Sequence, residues 1–181
     1  MDQYYYVVSS LPFLDFDSPP LIKIDEFMSI CKSTLIEKEF NILSSVSLME
    51  LNTTDSATDV IKKWLSWEGT LRNEIAKLRA ASVDFESEFH GLDFETNLDA
   101  LIAARNAYKL NSPLMAEKSL NKARWYMLDD LEQGHYFDLE KLIVYSLRLQ
   151  MLERNSMFTT ENGNENFQKI YENIKEAVRD A

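Results

Sequence analysis

Few residues in this chain can staple, kink or reverse a backbone. Its 181 residues include one cysteine, four glycines and four prolines. A single cysteine, Cys31, excludes a disulfide within the chain and fits a reducing compartment. It stands in an apolar helical pattern, the setting of a buried and inert thiol. So little glycine and proline favours long regular elements with short connections. A basic stripe is also missing: 19 Lys and Arg face 30 Asp and Glu, for a net charge of −11. Neutralising phosphates needs the opposite sign, which argues against nucleic-acid binding and against charge-driven binding to anionic lipid. No apolar run nears the roughly 18 residues that mark a membrane span, and no basic-then-apolar leader opens the chain. A cytoplasmic protein without a membrane span is the simplest reading. Walker and dinucleotide glycine loops are lacking, and no Ser–His–Asp set has local support. The two histidines, His90 and His135, lack metal-ligand spacing. No cofactor, no metal and no catalytic group are therefore expected, and the reading is not that of an enzyme.

What is present is helical period. The longest amphipathic run spans Asp55 to Ala81, with Val60, Ile61, Trp64, Leu65, Leu71, Ile75 and Leu78 at steps of three and four. Gly69 within it costs about 1 kcal/mol relative to Ala. Unbroken, this helix is about 40 Å long. A compact domain of this length has a radius of gyration of only about 16 Å, so the other helices must pack along it. Between Leu65 and Leu71 the inward stripe is interrupted by Glu68, with Arg72 one turn later in the favourable acid-first order. Two readings stand: a solvated surface pair worth ~0.3–0.5 kcal/mol, or a pair at the stripe edge that sets register against a neighbouring helix. Glu68, Arg72 and, on a later helix, Arg148 are the candidate register residues.

Along the rest of the chain, Tyr4 to Val8 favours a strand by its aromatic and β-branched content. A short helix with Tyr4, Val8 and Leu11 inward competes with it. Tyr4 to Phe16 carries too many large apolar groups for a solvated tail, so residues 1–20 are expected to dock on the body or a partner. Asp25 is placed as an N-cap for a helix to Lys32, and a second helix is expected over Leu35 to Leu43. Ser44 to Leu51 is ambiguous. Asn52 to Ser56 is a polar loop offering caps. Asn97 to Leu110 reads as a helix with Leu98, Leu101, Ile102, Arg105 and Tyr108 on one side. Pro113 opens another, which runs to Glu132 with Met115, Leu120, Ala123, Met127 and Leu131 inward and Gly134 past its end. Asp138 caps a helix that is apolar on more than one side, from Leu139 to Leu152, and therefore central. A terminal helix follows a polar break, where Asn162 and Glu165 suit a capping box. It carries Phe167, Ile170, Tyr171, Ile174 and Val178 inward. The fold class is all-α: one multi-helix domain over 1–181, organised on a long central helix.

Residues 82–96 form an acidic connector. Asp84, Glu86, Glu88, Asp93 and Glu95 interleave with Phe85, Phe89 and Phe94, and no Lys or Arg falls between Ala80 and Ala104. One reading is a solvated link tacked down by its phenylalanines. The other is a docking segment for a basic partner, with Asp84, Glu86, Glu88, Phe89, Asp93 and Glu95 as contacts.

Two stretches carry a family likeness. The opening Tyr4 to Phe16 and the long-helix set Trp64, Trp67, Glu68, Leu71, Arg72, Asn73, Arg79 and Ala80 resemble a bacterial family encoded among V-type (A/V) ATPase subunits. Asp25 to Leu35 and Asp138 to Gln150 are similar to helices of the C-type (eukaryotic d-type) socket family of the V-type ATPase. Glu68 to Arg79 is similar to Asp138 to Arg148 as a weak internal repeat. That family is all-helical, built of three related units, and forms a non-catalytic socket between rotor shaft and membrane ring. This chain is shorter than three full units. The resemblance implies a non-catalytic subunit or assembly factor. Its partners would be other V-type ATPase subunits of the central stalk or membrane ring, and its place the cytoplasmic side of the membrane, held there through the complex. A free-standing acidic helical adaptor is the alternative.

Overall fold

The centre of the molecule is the stretch from Leu142 to Leu147, in which every residue is buried. A helix buried around its whole circumference has no solvent face to offer, so other helices must surround it. The computed structural model describes residues 2–51, 58–81 and 95–158, together with 168, 170–172, 174 and 175. The described residues are all-helical, without a strand. The helices are α1 (Asp2–Ser10), α2 (Ile24–Thr34), α3 (Glu37–Ser44), α4 (Asp59–Ala81), α5 (Leu98–Tyr108), α6 (Pro113–Glu132) and α7 (Leu139–Ser156). α7 touches α1, α2 and α3 on one side and α4 and α6 on the other. α5 lies against α4 and α6. The shared core joins Val7, Phe27 and Leu43 from the first three helices to Trp64, Leu71, Leu128, Leu142 and Met151 from the others. Burying each such leucine contributes roughly 1.5–3 kcal/mol.

Local signals set most helix ends. Asp138 accepts the Lys141 N–H at 2.9 Å and starts α7. Ser112 accepts from the Met115 N–H, and Pro113 occupies the first turn of α6. Gly134, at φ +86°, follows the α6 C-cap Gln133 in the left-handed region. α4 starts at Asp59, later than the Asp55 of the apolar pattern, and Thr58 takes the Ile61 N–H at 3.4 Å. The polar run 52–56 lies outside the described residues.

Several expectations are corrected. Of the two readings of Tyr4 to Val8 the strand is overturned and the helix holds: Val7 is fully buried and Tyr4, Val8 and Leu11 pack on the core. A strand there would have no described neighbour to pair with, leaving its backbone groups unsatisfied, whereas a helix satisfies them internally. Asp25 is not the cap of α2. The helix starts one residue earlier, and its Ile24 N–H donates to Glu153 of α7 at 2.7 Å, a carboxylate 129 positions away. α3 begins at Glu37 because Leu35 closes α2 and Ile36 is the cap position.

On α5 the side shared by Leu98, Ile102 and Tyr108 is not the buried one. Ala100, Ala104 and Ala107 are buried, while Leu98, Ile102 and Tyr108 are exposed. Small residues let the α5 backbone approach α4 and α6 closely, and that contact overrides the larger apolar stripe. Met115 on α6 is exposed as well. On the terminal segment Ile170, Tyr171 and Ile174 are each more than half exposed rather than inward. Phe167, Val178 and the Asn162–Glu165 pair lie outside the described residues.

The stretch 45–51 forms no helix and is held by side chains from elsewhere. Gln150 of α7 accepts from the Leu48 N–H at 2.8 Å and donates to the Val46 carbonyl at 3.1 Å. At the other end, Pro12 to Phe16 lies on the body. The Tyr145 hydroxyl donates to the Pro12 carbonyl at 3.0 Å, and Phe16 meets Trp125 edge-on.

Candidate functional site

The site starts from one charge in the wrong place. Glu68 lies on the inward stripe of α4 and is completely buried, flanked by Trp64, Trp67 and Leu71. The solvated-surface reading of Glu68 is therefore corrected. A lone buried carboxylate costs several kcal/mol, so it requires partners. Arg124 of α6 supplies a fork, with Nε 2.9 Å from Oε2 and Nη2 2.9 Å from Oε1. Arg72, one turn along α4, donates from Nε to Oε1 at 2.7 Å. Its terminal nitrogens donate to the carbonyls of Met49 (2.7 Å) and Leu48 (2.6 Å). One carboxylate thus ties α4 to α6 and, through Arg72, to the 45–51 stretch.

The network continues on α6 and α7. Arg124 Nη1 donates to Asn121 at 2.7 Å, and Asn121 donates to Asn155 at 2.7 Å. Glu117 sits 3.0 Å from Arg154 and 3.8 Å from Arg124. Burial alone would lower the Arg124 pKa, but the neighbouring Glu68 carboxylate outweighs it and holds the guanidinium above its ordinary value.

Arg148 belongs to a second cluster. It pairs with Asp129, reaches Glu132 Oε2 at 2.6 Å from Nη1, and lies over the Trp125 ring at 5.1 Å. Lys141 also pairs with Glu132. Burial pushes the Glu132 carboxyl up, but Lys141 and Arg148 overcome that and leave it below the ordinary value. The structure therefore brings Glu68 and Arg72 together and places Arg148 elsewhere, between α7 and α6. Of the acidic contact set, Asp84, Glu86, Glu88, Phe89 and Asp93 lie outside the described residues. Glu95 is exposed, and its carbonyl accepts the hydroxyls of Ser66 (3.2 Å) and Thr70 (3.1 Å).

Sequence reasoning missed Arg124, Asn121 and Glu117. A signal existed: Arg124 interrupts the apolar set of α6 just as Glu68 interrupts that of α4, with opposite sign. Above the network opens a cleft of about 480 Å³. Arg72, Ile75, Ala76 and Arg79 of α4 form one wall, and Glu117, Leu120 and Arg124 of α6 the other. Met49 and Arg154 close it. Four of the chain's seven arginines thus line one concavity. His135, Asp138 and Glu140 gather at the α6–α7 turn, where His135 Nδ1 lies 2.7 Å from the Asp138 carboxylate. Asp138 is already engaged as the cap of α7.

Residues 93–178, which include α5, α6 and α7, match the model of a family described as a protein of unknown function, DUF2764. That description assigns no function, so it does not bear on the likeness to V-type ATPase subunits. No curated protein and no solved structure matches the chain.

Proposed function

We propose that this chain is a non-catalytic helical subunit or assembly factor of a V-type ATPase, working as a connector near the central stalk or membrane ring. The observation that carries the docking part of this reading is the outward apolar edge of α5 and the start of α6. There Leu98, Ile102, Leu110, Leu114 and Met115 are exposed. Large apolar side chains left exposed on a helix, such as Leu98 and Ile102 one turn apart on α5, are the kind of surface a protein partner covers. A standard interface buries ~1,200–2,000 Å², which one side of such a bundle can supply.

The ATPase part rests on the sequence likeness of residues 4–16 and of the Trp64–Ala80 set. Torque or assembly coupling needs a body that does not shear. The Glu68 network supports that role, because sliding α4 past α6 would strand a buried charge at a cost of about 3–5 kcal/mol. No described helix is long and apolar enough to cross a membrane, so attachment would run through other subunits.

Affinity purification of the ATPase from cells carrying a tagged copy tests the proposal. The expected result is the chain at fixed stoichiometry with the complex. A complete, active ATPase that lacks the chain, and assembles normally after its deletion, would favour the free-standing adaptor instead. Reading frames for the A and B ATPase subunits beside this one are the expected genomic setting.

A further inference from the structure

The acidic composition points to basic partners, yet the cleft between α4 and α6 has the opposite sign. Arg72, Ile75, Ala76 and Arg79 stand at i, i+3, i+4 and i+7 of α4, so one helix face runs about 10 Å along the cleft. Glu117, Leu120 and Arg124 of α6 line the other side, with Arg124 beside Glu68. The two helices thus border a groove lined by guanidinium groups and by the apolar side chains of Ile75, Ala76 and Leu120.

The charges can be counted without Arg79. Arg72, Arg124 and Arg154 face Glu68 and Glu117, which leaves one positive charge in excess. Arg124 is almost buried, while Arg72 and Arg154 have about a third of their side chains exposed. Arg72 uses Nε and one hydrogen on each terminal nitrogen for Glu68, Met49 and Leu48. A second hydrogen on each terminal nitrogen remains to face an occupant.

We propose that the α4–α6 groove receives an amphipathic helix of a partner protein, seating a carboxylate between Arg72 and Arg154 and an apolar side chain against Ile75 and Leu120. One carboxylate balances the excess charge, and the planar guanidinium matches it in two-pronged geometry. A free polyanion is disfavoured, because it must approach a molecule of net charge −11 without apolar contacts to offset the repulsion. A helix brings both, at the one-turn spacing the groove repeats. The inference goes beyond the proposed function and stands whether or not the partner is the ATPase.

The test is a titration of the whole chain, followed by NMR of arginine Nε–H signals. The probes are two alanine-based helical peptides of about four turns. One has Glu and Leu at i and i+4, and its twin has Gln in place of Glu. The Glu peptide should shift the Arg72 and Arg154 signals saturably, and at least about tenfold more tightly than the Gln twin. Arg154→Gln should weaken the Glu peptide by about the same factor, with the unbound spectrum showing a folded protein. Equal binding of both peptides, or no shift with either, overturns the proposal. So does inorganic phosphate moving the same signals as strongly as the Glu peptide, which would make the groove a site for free oxyanions. ATPase co-purification plays no part in this readout, so failure here and failure of the ATPase reading are separate results.

Discussion

Arg124 meets Glu68 with two parallel bonds of 2.9 Å each, across 56 positions of sequence and between two helices. A pair this buried is held by mutual need: without Arg124, Glu68 keeps the Arg72 bond to Oε1 but loses the partner of Oε2 in an apolar interior. Arg124→Met should therefore destabilise the fold by about 3–5 kcal/mol. Glu68→Leu combined with Arg124→Met should lie closer to the parent than Arg124→Met alone, because no buried carboxylate is left short of a partner. Urea unfolding measures all of these. A loss below ~1 kcal/mol in Arg124→Met would mean the pair is solvated.

Acid should act through Glu132. Its folded pKa lies below the ordinary 4.5, so its contribution is fully present above that value and is lost as pH falls through the depressed one. Melting curves from neutral pH to about pH 3 should show a steeper acid-side loss in the parent than in Glu132→Gln. Parallel profiles would mean that Lys141 and Arg148 do not hold this carboxylate in solution.

Cys31 reports on opening. Burial pushes its thiol up to about 12, and its side chain lies in the core. Iodoacetamide near pH 8 should leave it unmodified in the folded chain and label it in urea. Rapid labelling without denaturant would contradict its burial.

The turn between α6 and α7 separates two costs. Gly134 sits at φ +86° with nothing within 4 Å of an added Cβ, so Gly134→Ala should cost about 1–2 kcal/mol from backbone strain alone. Asp138→Ala should cost about 1 kcal/mol through the lost cap. Thermal unfolding of the two variants checks both.

What could be read from the sequence follows from how local each signal is. Asp138, the all-round apolar run behind it, Pro113 and Gly134 act within one turn of themselves, and α6 and α7 are legible from them. Val7 is harder: three tyrosines suggest a strand, and only docking on α2 and α7 makes α1 a helix. α5 misleads because Leu98 and Ile102 outweigh Ala100 and Ala104 in any hydrophobic count, while close helix approach rewards the alanines. The cap of α2 is invisible, since Glu153 is 129 residues from Ile24. Half of the site is legible in the same sense. Glu68 and Arg72 pair one turn apart on one helix, but Arg124 is found only when α6 folds onto α4.

We propose that the outward face of α5 seats the chain in a V-type ATPase. The measurement is quantitative mass spectrometry of the purified ATPase from cells expressing either the parent or Leu98→Glu with Ile102→Glu. Both substitutions are on exposed positions, so stability should change by no more than about 0.5 kcal/mol each. The account predicts the parent at fixed stoichiometry in the complex and the variant depleted at least about tenfold, with its fold intact. Parent protein absent from the ATPase, or variant retained at parental level, would contradict it.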